Sequence, residues 1–157
     1  MKSLSKKLSV LVLSVTQSAC LFSSPMHWDK KLTAEPEQQT LVMAVTHVKL
    51  GKNSGDNEKF WHGTYQVLDS LTQYEGYLGH KVRRSLSGRE AWTLTLWQNE
   101  ADLKQFVKST VHDAAAKEGF LAVSTARSFH LTTSRSALQT EWRDVEALMD
   151  EYGSSMY

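Results

Sequence analysis

The chain has 157 residues, a length that suits one domain. With 18 Lys and Arg against 17 Asp and Glu its formal charge is +1, which gives no general attraction to nucleic acid or to an anionic membrane. Cys20 is the single cysteine, so no intrachain disulfide can form.

Residues 1–19 have the order of a secretory signal. Lys2, Lys6 and Lys7 come first, then the apolar run Leu8–Val15, then the small polar stretch Thr16–Ala19. The apolar run is far shorter than the roughly 20 residues that span a bilayer. Cys20 follows Ala19 as the lipid-accepting cysteine does in a lipoprotein processing site, although Gln17 stands where that pattern has Leu. Cys20 is therefore a candidate lipidation site, with a free thiol or ordinary cleavage as the alternatives. The expected location is exported: periplasmic, or membrane-anchored through lipid alone. Residues 20–39 hold both prolines, Pro25 and Pro36, among polar residues, and read as a tether with little regular structure.

The domain is expected over residues 40–152. Thr40–Leu50 is β-branched and apolar on both faces, which predicts a first strand. Gly51–Asn57 reads as a loop and Glu58–Tyr74 as a helix, with Phe60, Trp61, Tyr65, Leu68 and Leu71 on one face. Tyr77–Leu86 and Arg89–Trp97 are a second and third strand around a Ser87-Gly88 turn. Asn99 is a natural cap for a second helix, which ends at His112 or continues to Lys117. Ser124–Thr132 is a fourth strand, and Ser136–Tyr152 a last amphipathic helix.

The order is strand, helix, strand, strand, helix, strand, with an extra C-terminal helix. This is an α+β, ferredoxin-like βαββαβ arrangement with an antiparallel sheet. Its two connecting helices cover one sheet face. The other face is also apolar, and pairing with a second copy would bury it, so a homodimer sharing a pocket is expected.

The stretch Trp97-Gln98-Asn99-Glu100, followed by Leu103, Phe106 and His112 and later by Phe129-His130-Leu131, resembles the antibiotic biosynthesis monooxygenase-like superfamily of dimeric α/β barrels. The resemblance spans roughly Thr40–Arg135. It implies a pocket between helices and sheet. Some members oxygenate quinol-like aromatics with no metal or organic cofactor, and related barrels bind haem. No c-type haem attachment sequence is present, so the cofactor expectation is none, with haem through one axial His as the alternative.

On that resemblance His112 is the candidate proton acceptor, and the competing reading is a cap at a helix C-terminus. Trp97, Trp92, Trp61 and Phe106 are candidate walls for an aromatic ligand, or simply core. His47, His80 and His130 lie on three strands without metal-ligand spacing, so no metal site is expected. Lys81 and Arg83 share one face and Arg84 takes the other; this basic cluster could clamp a carboxylate, and the competing reading is a pair with Glu90 across the hairpin. Two functions follow: a small oxygenase acting on an aromatic or quinol-like ligand, or a non-catalytic exported domain that binds a small apolar ligand or only dimerises.

Overall fold

Eleven residues with alternating apolar side chains form the central strand, β3 (Thr40–Leu50). The structure, a computed structural model, describes residues 21–34 and 39–156; the signal segment and the lipidation candidate Cys20 lie outside the described residues. β3 is flanked by β5 (Glu90–Trp97) and β6 (Val123–Ser134), and β4 (Tyr77–Ser85) lies outside β5. All these pairs are antiparallel, which gives the ferredoxin-like strand order.

Helices α2 (Ser54–Ser70), α3 (Glu100–Val107) and α4 (Thr110–Gly119) cover one face. α2 starts four residues earlier than the apolar periodicity predicts. Asn53 caps it, its side chain accepting from the amides of Gly55 and Asp56, so half of the expected loop is helix. The predicted second helix is two. Ser109 is extended and its hydroxyl accepts from the His112 amide at 3.3 Å, which ends one helix and starts the next.

The opposite face is where the structure departs most from the sequence reading. Leu41, Met43, Val45, Leu78, Trp92, Leu94, Leu96 and Phe129 are buried there without a second copy. The chain's own ends cover them. Trp142, Val145 and Met149 come from the C-terminal helix α5 (Trp142–Tyr152), and Leu32 from the short helix α1 (Lys30–Ala34). The expectation that a twin molecule hides this face is corrected accordingly, and with it the ground for a shared pocket.

α5 is shorter than predicted. Ser134 caps a 3-10 turn at Arg135–Ala137, and the following extended stretch lets Lys81 Nζ donate to the Thr140 carbonyl at 2.9 Å. The Trp142 ring then lies between Lys81 and Arg83, at 5.3 and 4.9 Å. Arg83 pairs with Glu146 of α5, not with Glu90 across the hairpin; Glu90 instead bonds His47 at 2.8 Å.

Residues 21–34 of the supposed tether form regular structure instead. β1 (Leu21–Ser23) and β2 (His27–Trp28) both pair with the outer edge of β4. Gly79 makes the approach feasible, since a Cβ there would sit 2.6 Å from the His27 carbonyl. Trp142 Nε1 donates to Ser23 Oγ at 2.6 Å, tying the C-terminal helix to the N-terminal segment. The last short strand, β7 (Ser154–Ser155), pairs with β6.

His27 stacks on His80 with ring centroids 4.8 Å apart, and the Tyr77 hydroxyl meets His80 Nδ1 at 2.6 Å. Burial, then the charge of His27, push the His80 pKa down to about 4, while burial and Asp29 raise Tyr77 to about 12. A neutral His80 therefore accepts from a protonated Tyr77. Because the folded pKa lies below the unfolded value of 6.5, this contribution is complete above about pH 6.5 and is lost as pH falls toward 4. Urea unfolding at pH 7.5 and 4.5 should show a smaller loss of midpoint on acidification for His80→Gln than for the wild type. Equal losses would contradict the assignment.

Candidate functional site

Strand alternation puts Val42, Ala44, Thr46 and Val48 of β3, and Ala91, Thr93, Thr95 and Trp97 of β5, on the face under α2–α4. At the Trp97 end the large side chains fill the space. Trp97 is fully buried, stacked at 4.8 Å on Phe106, with Nε1 donating to Thr95 Oγ1 at 3.0 Å. Toward the middle of the sheet the residues are small. Thr46, Val48, Ala91, Thr93 and Ala126 leave a cavity of about 180 Å³ beneath Phe60, Thr64 and Val67 of α2 and His112, Ala115 and Ala116 of α4. Gly63 lets the two helices close over it, since a Cβ there would lie 3.1 Å from the Ala115 Cβ. Met156 completes the lining. β7 and the Met156 amide, which donates to the Ala126 carbonyl at 3.0 Å, carry it there.

His112 is the titratable group among the residues lining this cavity. It sits in the first turn of α4, so the helix C-terminal cap considered from sequence does not apply; the positive end of α4 disfavours an imidazolium. Burial lowers its pKa below the usual 6.5, against the opposing pull of a hydrogen bond to the Val107 carbonyl and of Asp113. The ring thus stays neutral at neutral pH. Donation to Val107 from one nitrogen leaves the other as an acceptor. Phe106 meets the ring edge-on at 5.1 Å and fixes its plane.

Of the residues singled out from sequence, only His112 lines the cavity. Trp97 and Phe106 lie behind it as core. Trp92 is on the opposite sheet face, stacked at 3.9 Å on His47 and donating to Glu90, and cannot share a ligand with His112. Trp61 lies on the outer flank of α2, where its indole donates to the Gly88 carbonyl at 2.7 Å. Thr46, Thr64 and Thr93 were not singled out. The signal for them was small residues facing small residues across the helix–sheet boundary.

The model of the antibiotic biosynthesis monooxygenase family matches residues 31–118, more than half of the chain. The chain belongs to this family. No curated protein matches it. Among solved structures, a protein of Lactobacillus acidophilus provisionally assigned as a monooxygenase is similar at TM-score 0.52 and 16% identity, over 66% of this chain and 51% of its own. One from Nitrosomonas europaea, provisionally assigned to antibiotic biosynthesis monooxygenases, matches at 0.51 and 7%, over 64% and 93%. A provisional monooxygenase of Fusobacterium nucleatum matches at 0.58 and 6%, over 77% and 55%. The chain thus spans about half the length of the first and third, and at these identities the likeness speaks for the fold.

Haem, which related barrels bind, does not fit the cavity at His112. The cavity of about 180 Å³ at His112 is well below the roughly 300–1,000 Å³ of typical ligand and cofactor clefts. Among the described residues, no group of three His, Cys, Asp or Glu side chains is placed to hold a metal ion.

Proposed function

We propose that the protein is a small oxygenase of this family whose substrate is a one-ring phenol or quinol held in the cavity at His112. The observation that carries the reading is a neutral, half-buried imidazole, one nitrogen of which bonds Val107, among the residues that line a small and mostly apolar space. Its volume supports the choice of substrate class. An apolar cavity of roughly 150 Å³ accepts benzene, so about 180 Å³ suits one ring and excludes fused polycycles. Thr46, Thr64 and Thr93 supply hydroxyls around the ring.

In this reading His112 takes the proton of the substrate hydroxyl. The electron-rich phenolate then gives an electron to dioxygen, the two radicals join at a ring carbon, the peroxide so formed takes the proton back from His112, and the hydroperoxide loses water to leave a quinone. One oxygen atom stays on the product and the other leaves as water. The protein contributes orientation, desolvation and the proton acceptor.

The N-terminal order of basic, apolar and small residues ahead of Cys20 supports the further proposal that the protein is exported and lipid-anchored. Palmitate labelling should mark the wild type and not Cys20→Ala; equal labelling of both would sink the anchor.

The oxygenase reading predicts dioxygen uptake above the buffer rate with hydroquinone and none with anthrahydroquinone. His112→Ala should lower the rate by about 10²–10⁴. Thr46→Phe, which fills the cavity floor, should abolish uptake with the fold intact. Uptake unchanged in both variants would overturn the reading, and binding of hydroquinone without any uptake would leave a ligand-binding protein.

A further inference from the structure

We propose that the groove between the N-terminal segment and α2 is a second ligand site, specific for a flat hydroxylated aromatic carboxylate. It lies on the outer flank of α2, lined there by Trp61, Tyr65, Leu68, Asp69 and Thr72, whereas the His112 cavity uses the inner positions Phe60, Thr64 and Val67. Its volume is about 620 Å³, within the range of small-molecule sites and more than three times that of the inner cavity.

One wall is built by a segment that the family match does not include. Residues 21–28 precede the matched stretch 31–118. They are held firmly. The Ser24 amide donates to the Val82 carbonyl at 2.8 Å, the Val82 amide donates to Ser24 Oγ at 3.1 Å, and His27 stacks on His80. This docking nevertheless leaves Phe22 62% exposed at the groove, which is also lined by Tyr65, itself 46% exposed. Two exposed aromatics on one groove, with Trp61 buried behind them, form a surface for a flat ring.

Arg84 sets the charge of the ligand. Its guanidinium lies 4.7 Å over the Trp61 ring, and Nη1 donates to the Tyr65 hydroxyl at 3.2 Å. Among the described residues it makes no ion pair, whereas its neighbour Arg83 on the other face pairs with Glu146. A guanidinium held flat with donors to spare is suited to a carboxylate's two oxygens. His80, on the same groove, is kept neutral by burial and adds no second cation. Asp69 and Thr72 occupy the same groove. A carboxylate there repels a second negative group and accepts from a hydroxyl. The ligand's polarity follows: carboxylate toward Arg84, ring against Phe22 and Tyr65, hydroxyl toward Asp69. None of this depends on whether the inner cavity is catalytic.

The test is calorimetric titration of the full chain with 4-hydroxycinnamate and with 4-hydroxycinnamyl alcohol, which keeps the ring and hydroxyl and lacks the charge. The wild type should bind the acid at least about tenfold more tightly than the alcohol, and Arg84→Gln should remove that preference. Phe22→Ala should weaken both ligands. Thr46→Phe, which fills the inner cavity, should leave binding of the acid unchanged. No binding of the acid, an Arg84→Gln variant that keeps the preference, or loss of binding in Thr46→Phe would each overturn the proposal.

Discussion

A sheet whose strands are apolar on both sides is stable only if both sides are dry. In this chain β3 and β5 impose that demand, because Met43, Val45, Leu94 and Leu96 face one way and Val42, Ala44 and Trp97 the other. The connecting helices dry one face. The other is dried by Leu32 and by Trp142, Val145 and Met149, held in place by a cluster of cations and rings. Arg83 and Lys81 are both buried, both lie against Trp142, and both bond to α5 or the stretch just before it. Trp142 also reaches Ser23. Removing a buried Trp side chain typically costs about 3–5 kcal/mol, and here it would also leave two cations without their platform.

The central fold was readable because its signals are local. β3 was read to the residue from its β-branched alternation, and Asn99 announced α3. What failed was long-range. Arg83 and Lys81 look like a hairpin pair for Glu90, and nothing nearby in sequence says that their partners lie some sixty residues on, in and before α5. The same holds for residues 21–34. Pro25 and its polar neighbours read as slack chain, yet β4 had a free edge and Gly79 gave the backbone room to approach it. The site was only partly readable for a similar reason. Large aromatics attract attention, but Trp97 and Phe106 fill space, and a cavity is made where residues are small.

Closure of the second face by the chain's own ends has a functional consequence. Both flanks of α2 then carry complete recesses within one chain: an inner one against the sheet with His112, and an outer one against the N-terminal segment with Arg84. The inner recess belongs to the part matched by the family, and it holds a neutral imidazole in a mostly apolar setting. The outer one depends on residues 21–28, which are held by the same Ser23–Trp142 contact that secures α5. Both termini of the described chain thus contribute to recesses as well as to the core, Phe22 to one and Met156 to the other.

The measurement that bears most directly on this closure is the thermal midpoint as a function of protein concentration. A chain that dries both faces of its sheet by itself unfolds without a change in association, so its midpoint should stay constant over a thousandfold dilution. A midpoint that climbs steadily with concentration would mean that a second copy supplies the missing cover, and would contradict the account.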